Sequence, residues 1–508
     1  MTSINAASYL TIAPFLVLVV TGMAVLMVDL FLPRDRKGSL VALSIIGVLV
    51  SSGFVFDDWG KNYTGFAGTL TADQFALLFQ LVLLIVTALG VLLSERYIQQ
   101  KGINHGEYYA LLLFSASGGM LMAASRELLL TFVGLEILSI ALYILSGFAR
   151  TEERSEEAAI KYFLLGAFSS GFFLYGIALI YGGTGTTLLT AMHPDKLNNA
   201  YSVAGVGLLL VGLCFKAAIV PFHSWTPDVY QGAPTSVTAF MSAGAKVGAF
   251  SALIRVLTVF LPVSIVWHDI VWLLAAATMI VGNVVAVLQT DVKRMLAYSS
   301  IAHAGYILVG VLAANAAGQS AVLFYMLVYT FMNLGAFGIL ILLGKTGKEF
   351  NSVRDLQGLA KTHPWAAAAM AIFMFSLAGI PPAAGFLGKL MLFSAAIQAH
   401  LYGLAVVGLL ASVVGVFYYL MIVVRMYMTP AEREIGPLAN APLANFAVTV
   451  CALVTMLLFF FAEPVIGVFK EGYVTQTVTA ALVQPAPQVA VQASAAGTSP
   501  VPTSTVVN

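Results

Sequence analysis

The chain has 508 residues, of which 60% are hydrophobic and only 9% are charged, whereas ordinary soluble domains carry about 25% charged residues. This composition predicts a polytopic membrane protein and excludes an ordinary soluble domain. The net charge of +1, without any basic patch, gives no indication of nucleic acid as a partner.

Apolar runs long enough to cross a bilayer recur along the whole chain. Counting runs of about 18 residues or more predicts fourteen membrane spans. In chain order they lie near residues 9–32, 39–56, 71–94, 107–124, 127–149, 158–182, 203–230, 234–261, 267–288, 295–314, 319–344, 364–399, 402–427 and 443–468. The segment from residue 471 to residue 508 lacks helical periodicity, and we predict a disordered tail there.

Basic residues are distributed unevenly between the two sets of loops. Most of the 24 lysines and arginines follow odd-numbered spans, whereas Lys61, Arg126, Lys196 and Lys470 lie on the other side. Cytoplasmic loops carry the excess of positive charge. The count therefore predicts cytoplasmic odd loops and places both termini outside.

Two of the predicted spans contain helix-breaking prolines. Pro221 interrupts the seventh span and frees the carbonyl of Ala217, and the Pro381–Pro382 pair interrupts the twelfth. The second break frees the carbonyls of Leu377 and Ala378. Irregular backbone at membrane depth occurs where it is buried in protein or lines a polar cavity.

The two breaks lie five spans apart, which predicts repeats of opposite orientation in the membrane. Two interrupted segments at corresponding positions are typical of inverted repeats with half-helices near the midplane. The predicted organisation is three N-terminal spans in 1–106, a first five-helix repeat in 107–262, a second in 263–428, a last span in 429–470 and a tail in 471–508. The predicted fold class is therefore all-α, with about fourteen transmembrane helices, two inverted five-helix repeats and two broken helices.

Three lysines lie inside predicted spans. Lys216 precedes the first break, Lys246 lies about twelve residues inside its own span, and Lys389 follows the second break. Ionisable groups at this depth cost several kcal/mol unless they face the bundle interior or water, so they indicate a functional site. Arg255 is nearer the outer end of its span, where an alternative interpretation is a side chain that reaches the interface.

Other ionisable residues extend this set. Glu136 in the fifth span is either a structural acid that ties helices together or an acid partner of Lys216. His303 is either a satisfied core residue or a relay between Lys246 and Lys389. His223 borders the first break and is a candidate link to one surface.

The sequence offers no pattern for a resident cofactor. Its histidines are dispersed without metal-ligand spacing, no glycine-rich phosphate loop follows a strand, and the two cysteines are far apart. No strand is predicted. We expect neither a metal nor a cofactor on this chain.

Four segments carry a resemblance to a known family. They are KAAIVPFHSWTPDVYQGAPTSVTAFMSAGAK at 216–246, DVKRMLAYSSIAHAGY at 291–306, EFNSVRDLQGLAKTHP at 349–364 and GIPPAAGFLGK at 379–389. From about residue 100 to residue 430, the chain resembles the antiporter-like membrane subunits of respiratory complex I.

This resemblance implies a fourteen-helix fold with two inverted five-helix repeats and one proton path through Glu136, Lys216, Lys246 and Lys389. It also implies a multi-pass protein of the bacterial inner membrane. Its partners would be the other membrane and peripheral subunits of complex I, which would hold the NADH, FMN, Fe–S clusters and quinone. An alternative from a different class is a subunit of a secondary cation/proton antiporter or of a membrane-bound hydrogenase built on the same scaffold.

Overall fold

The computed structural model of the chain describes residues 6–33, 37–263, 265–344, 351–432, 438 and 440–473. Its helices, in chain order, are α1 Ala6–Asp29, α2 Gly38–Asp57, α3 Gln74–Gln100, α4 Glu107–Ala124, α5 Leu128–Ser146, α6 Glu153–Thr184, α7 Ala200–Ala217, α8 Trp225–Gly232, α9 Thr235–Phe260, α10 Ile265–Val287, α11 Val292–Leu312, α12 Ala316–Leu343, α13 Leu359–Thr362, α14 Pro364–Ala378, α15 Ala384–Gln398, α16 Tyr402–Met428, α17 Pro442–Phe460 and α18 Ala462–Lys470. The tail predicted as disordered lies, from residue 474 onward, outside the described residues.

Among the described helices, twelve are long and apolar enough to cross a membrane. Two predicted spans are absent from this set: one corresponds to α4, an 18-residue helix, and the other to the two shorter helices α14 and α15. The mostly helical membrane fold is therefore confirmed, and fourteen as the number of crossings stays a prediction.

Both predicted helix breaks are present, and they are built alike. The chain leaves α7 through Ala218 and α14 through Gly379, and both residues have left-handed backbone angles. The next amide in each case, that of Ile219 or Ile380, donates to a carbonyl five residues back. This pattern satisfies the free carbonyls of a helix C-terminus, so each helix ends before its prolines rather than bending around them.

The last predicted span is wrong as a single helix. The structure divides residues 443–468 between α17 and α18, with Phe461 outside helical geometry between them. Pro464 lies in the first turn of α18 and lacks the N–H that a continuous helix would require there. A proline in the first turn of a new helix costs no hydrogen bond, so the chain starts again at Ala462.

A short hairpin, which the sequence did not predict, precedes α3. Strands β1 Tyr63–Gly65 and β2 Leu70–Ala72 pair antiparallel, and the turn uses positive φ angles at Ala67 and Gly68. Backbone hydrogen bonds join the turn of this hairpin to the α4–α5 loop, and the α4–α5 loop to the α6–α7 loop. The amide of Arg126 donates to Thr69, and the carbonyl of Arg126 accepts from Leu189.

The core is formed by three long helices that are buried along almost their whole length, α9, α11 and α12. Around them, helices such as α1, α6 and α16 expose apolar side chains on one face. An apolar exterior around a buried core is the arrangement expected in a bilayer, where lipid replaces water as the solvent. Polar chemistry is thereby confined to the interior of the bundle.

Glycines allow close helix approach in the first predicted repeat. A Cβ on Gly118 of α4 would lie 2.5 Å from the backbone nitrogen of Leu138 and 2.6 Å from the carbonyl oxygen of Gly134, both in α5. Small residues at such contacts let backbones pack tightly in membranes. This contact fixes α5, the helix that carries Glu136.

Candidate functional site

Lys216 lies at the C-terminal end of α7 and is only 2% exposed. Its amine donates a 2.8 Å hydrogen bond to the hydroxyl of Tyr162. The same nitrogen lies 4.8 Å from the ring centroid of Tyr162 and 5.2 Å from that of Tyr143. A ring face favours a nearby cation, so the two rings offset part of the cost of burying the charged amine.

Glu136 does not contact Lys216. It is half-buried on α5, where its carboxylate accepts a hydrogen bond from the hydroxyl of Ser170. Throughout the described ranges, no acidic oxygen lies within 4 Å of the Lys216 amine, although the two charges interact at longer range. Glu136, the acid partner predicted from sequence, thus acts on Lys216 through its charge at a distance and does not form an ion pair with it.

Helix α8, which exists because α7 is interrupted, connects the surroundings of Lys216 to those of Lys246. The Trp225 ring stacks on Tyr162 at 4.4 Å, and its indole N–H donates to the carbonyl of Phe215 at 2.8 Å. Farther along α8, the Tyr230 hydroxyl lies 3.4 Å from that of Ser300 on α11. The broken helix therefore supplies the side chains between the first two lysines.

Lys246 lies in the middle of α9 and is 1% exposed. Its amine donates to the carbonyl of Ser300, and the amine nitrogen lies 5.7 Å from the ring centroid of Tyr329. The Tyr329 hydroxyl in turn donates to the Ser300 hydroxyl at 2.9 Å. Ser300 thus joins the lysine to tyrosines of α8 and α12.

His303, one turn along α11 from Ser300, is fully buried. Its Nδ1 lies 2.6 Å from the hydroxyl of Tyr325, and its Nε2 lies 3.0 Å from that of Tyr419. Both ring nitrogens therefore have hydroxyl partners, each of which can donate or accept. The His303 ring also lies 5.3 Å from the Tyr329 ring and 5.6 Å from the Tyr306 ring.

Lys389 occupies the second break as predicted. Its amine donates to the carbonyls of Leu377 and Ala378, each at 3.0 Å, and to the hydroxyl of Ser412 at 2.9 Å. The nitrogen lies 4.9 Å from the ring centroid of Tyr306. All three protons of a charged ammonium have acceptors, so the break forms a matched cation site.

We call Lys216, Lys246, His303 and Lys389 the lysine row. Two further ionisable residues lie apart from it. Arg255 forms an ion pair with Asp73 at 2.7 Å and donates to the carbonyl of Ala123, which ties α9 to α3 and α4. His223 is half-buried in the turn before α8, and no hydrogen bond joins it to the three lysines within the described part of the chain. Arg255 is a structural tie, and the geometry does not place His223 in the row.

The sequence reasoning missed the tyrosines that connect the row. Tyr325 and Tyr329 lie one turn apart on α12 and both reach toward His303. Tyr230 and Tyr419 enter from α8 and α16. The spacing of Tyr325 and Tyr329 was the one available signal, because residues four apart share a helix face.

A row of buried amines and hydroxyls inside an apolar helical bundle defines a class: multi-span membrane proteins with an internal path for protons or cations. Comparison with known proteins specifies the family. The model of the family described as NADH:quinone oxidoreductase/Mrp antiporter, TM, matches residues 125–415. This range contains Lys216, Lys246, His303 and Lys389, whereas Tyr419, which contacts His303, lies beyond it.

Relatives match over most of the chain. NADH-quinone oxidoreductase subunit N from Trichlorobacter lovleyi is 49% identical over 83% of this chain and 88% of the relative. A chain of respiratory complex I from Thermus thermophilus superimposes with a TM-score of 0.79 at 34% identity, covering 91% of this chain and all of that one. A chain of an archaeal membrane-bound sulfane sulfur reductase gives a TM-score of 0.81 at 26% identity, covering 93% and 97%.

The chain belongs to the NADH:quinone oxidoreductase/Mrp antiporter family of membrane subunits. The resemblance drawn from the four sequence segments is thereby confirmed.

Proposed function

We propose that this chain is the N-type membrane subunit of an NADH:quinone oxidoreductase and moves protons along the row that contains Lys216, Lys246, His303 and Lys389. The identity to relatives named subunit N supports the assignment to that complex. The observation that carries the proton path is the close spacing of the polar groups in the bundle. Ser300 accepts from Lys246 and lies beside the hydroxyls of Tyr230 and Tyr329. The Tyr306 ring lies beside both His303 and Lys389, and the stacked rings of Tyr162 and Trp225 lie between Lys216 and Tyr230.

Each group in the row has a task that its surroundings allow. Lys216 holds a proton beside aromatic rings, and Glu136 acts on its charge from a distance. Lys246 and His303 receive and pass charge through the hydroxyls around Ser300 and Tyr325. Lys389 is the terminal exchanger, because its site satisfies a full ammonium.

Ser412 makes this exchange reversible. The carbonyls of Leu377 and Ala378 can only accept hydrogen bonds, and a neutral amine retains two N–H groups to donate to them. Its lone pair then needs a donor, which the Ser412 hydroxyl provides by rotating. Both protonation states of Lys389 are thus satisfied by the same neighbours.

Like charges in the row repel each other. Close unit charges cost about 1–4 kcal/mol at effective dielectric constants between that of water and 20. A proton that arrives at one end therefore favours release at the other, which transmits charge laterally through the bundle. A change in the distance of Glu136 from Lys216 would start or stop this transfer.

The chain itself would carry no redox chemistry. In this proposal NADH, FMN, Fe–S clusters and quinone are held by partner subunits. The finer organisation belongs to the same proposal: two inverted five-helix repeats over 107–262 and 263–428, and both termini outside. Each proposed repeat has one interrupted segment, α7–α8 or α14–α15.

Tyr162→Phe tests the path at its first lysine. The variant removes the hydroxyl that accepts from Lys216 but keeps the ring. A hydrogen bond to a charged group is worth about 1.5–3 kcal/mol, so we expect NADH-driven proton pumping in reconstituted vesicles to fall at least about tenfold. Tyr143→Phe is the matched control, because that ring also faces Lys216 but its hydroxyl does not accept from the amine. Equal pumping by both variants in fully assembled complexes would refute the assigned path.

A second candidate function is a cation/proton antiporter subunit. It is favoured by the superposition on a chain of an archaeal sulfane sulfur reductase and by the inclusion of Mrp antiporters in the family description. Purification in mild detergent separates the two: flavin and Fe–S proteins that co-purify support the first. Vesicles of the chain alone in which a sodium gradient drives proton movement would support the second.

A further inference from the structure

A cavity of about 390 Å³ lies at the periphery of the bundle, between the start of α12, the second half of α15 and the end of α18. We call it the outer groove. Its polar end is formed by Ser320, Ser394, Gln398 and Lys470, and its apolar end by Leu390 and Met391. This volume lies within the range of small-molecule sites, about 300–1,000 Å³.

The polar end offers hydrogen-bond donors and positive charge. Lys470 is exposed at the end of α18 and forms no ion pair with any acidic side chain of the described residues. Beside it, the first turn of α12 carries the partial positive charge of a helix N-terminus, as 28-residue α12 begins at Ala316. No carboxylate lines the groove among the residues that the structure describes. These features favour an anion.

Ser320 is an independent sign that something binds there. It is 2% exposed and lines the groove, yet its hydroxyl finds no hydrogen-bond partner among the described residues. Buried hydroxyls are nearly always paired in native proteins. A ligand with acceptor oxygens at the polar end would satisfy this one.

The depth of the groove matches one leaflet of a bilayer. Gln398 ends α15, and Leu390 lies eight residues earlier, about 12 Å deeper along the helix. The hydrocarbon part of one leaflet is about 15 Å thick, half of the hydrocarbon core of the bilayer. Leu390 is 49% exposed, so the apolar end opens toward the surrounding lipid.

The groove is not continuous with the lysine row. Lys389 directly precedes Leu390, but its amine turns to Leu377, Ala378 and Ser412 on the side of α14 and α16. None of these three partners lines the groove. Apolar Leu390 and Met391 stand at the deep end, where a proton route would need hydroxyls or water.

We propose that the outer groove binds one anionic phospholipid, with its phosphate between Lys470 and the start of α12 and one acyl chain along Leu390 and Met391. Ser320, Ser394 and the Gln398 amide donate to the phosphate or ester oxygens. The lipid seals the start of α12 and the end of α15, the helices that carry Tyr325 and Lys389. Lipid binding and proton transfer are separate properties, and either can fail without the other.

Native mass spectrometry of the full chain in detergent tests the proposal. The chain is titrated with phosphatidylglycerol or with phosphatidylcholine of the same acyl chains. We expect the anionic lipid to bind more tightly, and Lys470→Ala to weaken its binding about fivefold, the effect of one lysine near an anionic headgroup. Lys196→Ala is the matched control, since Lys196 is exposed in the loop between α6 and α7 and remote in sequence from all three helices of the groove.

A second variant separates the groove from general surface charge. Ala317→Trp fills the groove from an exposed position and should remove the preference for phosphatidylglycerol while Lys470 remains. Equal binding of the two lipids by the unmodified chain, or unchanged phosphatidylglycerol binding in Lys470→Ala, would overturn the proposal. So would a loss of pumping in Ala317→Trp in vesicles of pure phosphatidylcholine, because it would identify the cavity as a water-filled part of the proton route.

Discussion

Replacing Lys389 by arginine isolates its ability to release a proton. The amine of Lys389 has three acceptors, the carbonyls of Leu377 and Ala378 and the hydroxyl of Ser412. A guanidinium has five N–H donors and can satisfy the same acceptors. The Lys389→Arg variant should therefore keep its charge and assemble normally.

The expected defect follows from proton affinity. The ordinary pKa of a guanidinium exceeds that of a lysine ammonium by about 2–3 units. Since one pKa unit corresponds to about 1.36 kcal/mol, release of the proton costs about 3–5 kcal/mol more. We expect proton pumping to fall at least about a hundredfold.

The assay is NADH-driven acidification of vesicles that contain the reconstituted complex, with subunit composition checked on a native gel. Lys101→Arg is the control for the same exchange, because Lys101 lies outside the row and forms an ion pair with Glu152 at 2.5 Å that arginine can also form. If Lys389→Arg pumps at the rate of Lys101→Arg, then Lys389 is a fixed charge and the exchanger lies elsewhere.

Two further predictions concern stability. Gly118→Ala should destabilise the purified chain by about 1–3 kcal/mol, because its Cβ would lie 2.5 Å from the Leu138 nitrogen. Gly171→Ala is the control and should not destabilise the chain, because a Cβ there would meet nothing within 4 Å. Equal melting temperatures of the two variants would contradict the packing described for α4 and α5. Asp58→Asn should stabilise it by about 1 kcal/mol at pH 7, because burial raises the pKa of this carboxyl against the opposing charge of Lys61, and both its oxygens are buried without hydrogen-bond partners among the described residues. A raised pKa means that the folded state resists ionisation, so the gain in stability should vanish below about pH 4, where the carboxyl is protonated in both the folded and the unfolded state. A gain that persists below about pH 4 would show that it does not come from the ionised carboxyl. Asp57→Asn is the control, because Asp57 forms an exposed ion pair with Lys61.

The features predicted most accurately from sequence are those that depend on local backbone chemistry. Proline removes a donor at a known position, so the carbonyls of Leu377 and Ala378 could be named before the structure placed Lys389 against them. The same reasoning at Pro221 located the first break, although the carbonyl of Phe215, rather than that of Ala217, accepts from Trp225.

What the sequence could not provide depends on which helices pack together. Tyr162 reaches Lys216 from 54 residues away, and Tyr419 reaches His303 from 116 residues away. Sequence periodicity does not show which helices are in contact, because every apolar helix of the bundle has a buried face on which a tyrosine is acceptable. The separation of Glu136 from Lys216 was hidden for the same reason.

The hydrogen-bonded loops around Arg126 have a mechanical consequence. Thr69, Arg126 and Leu189 belong to three different connections, and their backbone bonds form a clasp that fastens the ends of α3, α5 and α7 at one face of the bundle. Helices that are held together at one end can still move apart at the other end. A movement that changes the distance between Glu136 on α5 and Lys216 on α7 should therefore have its smallest amplitude at this clasp and its largest at the opposite face.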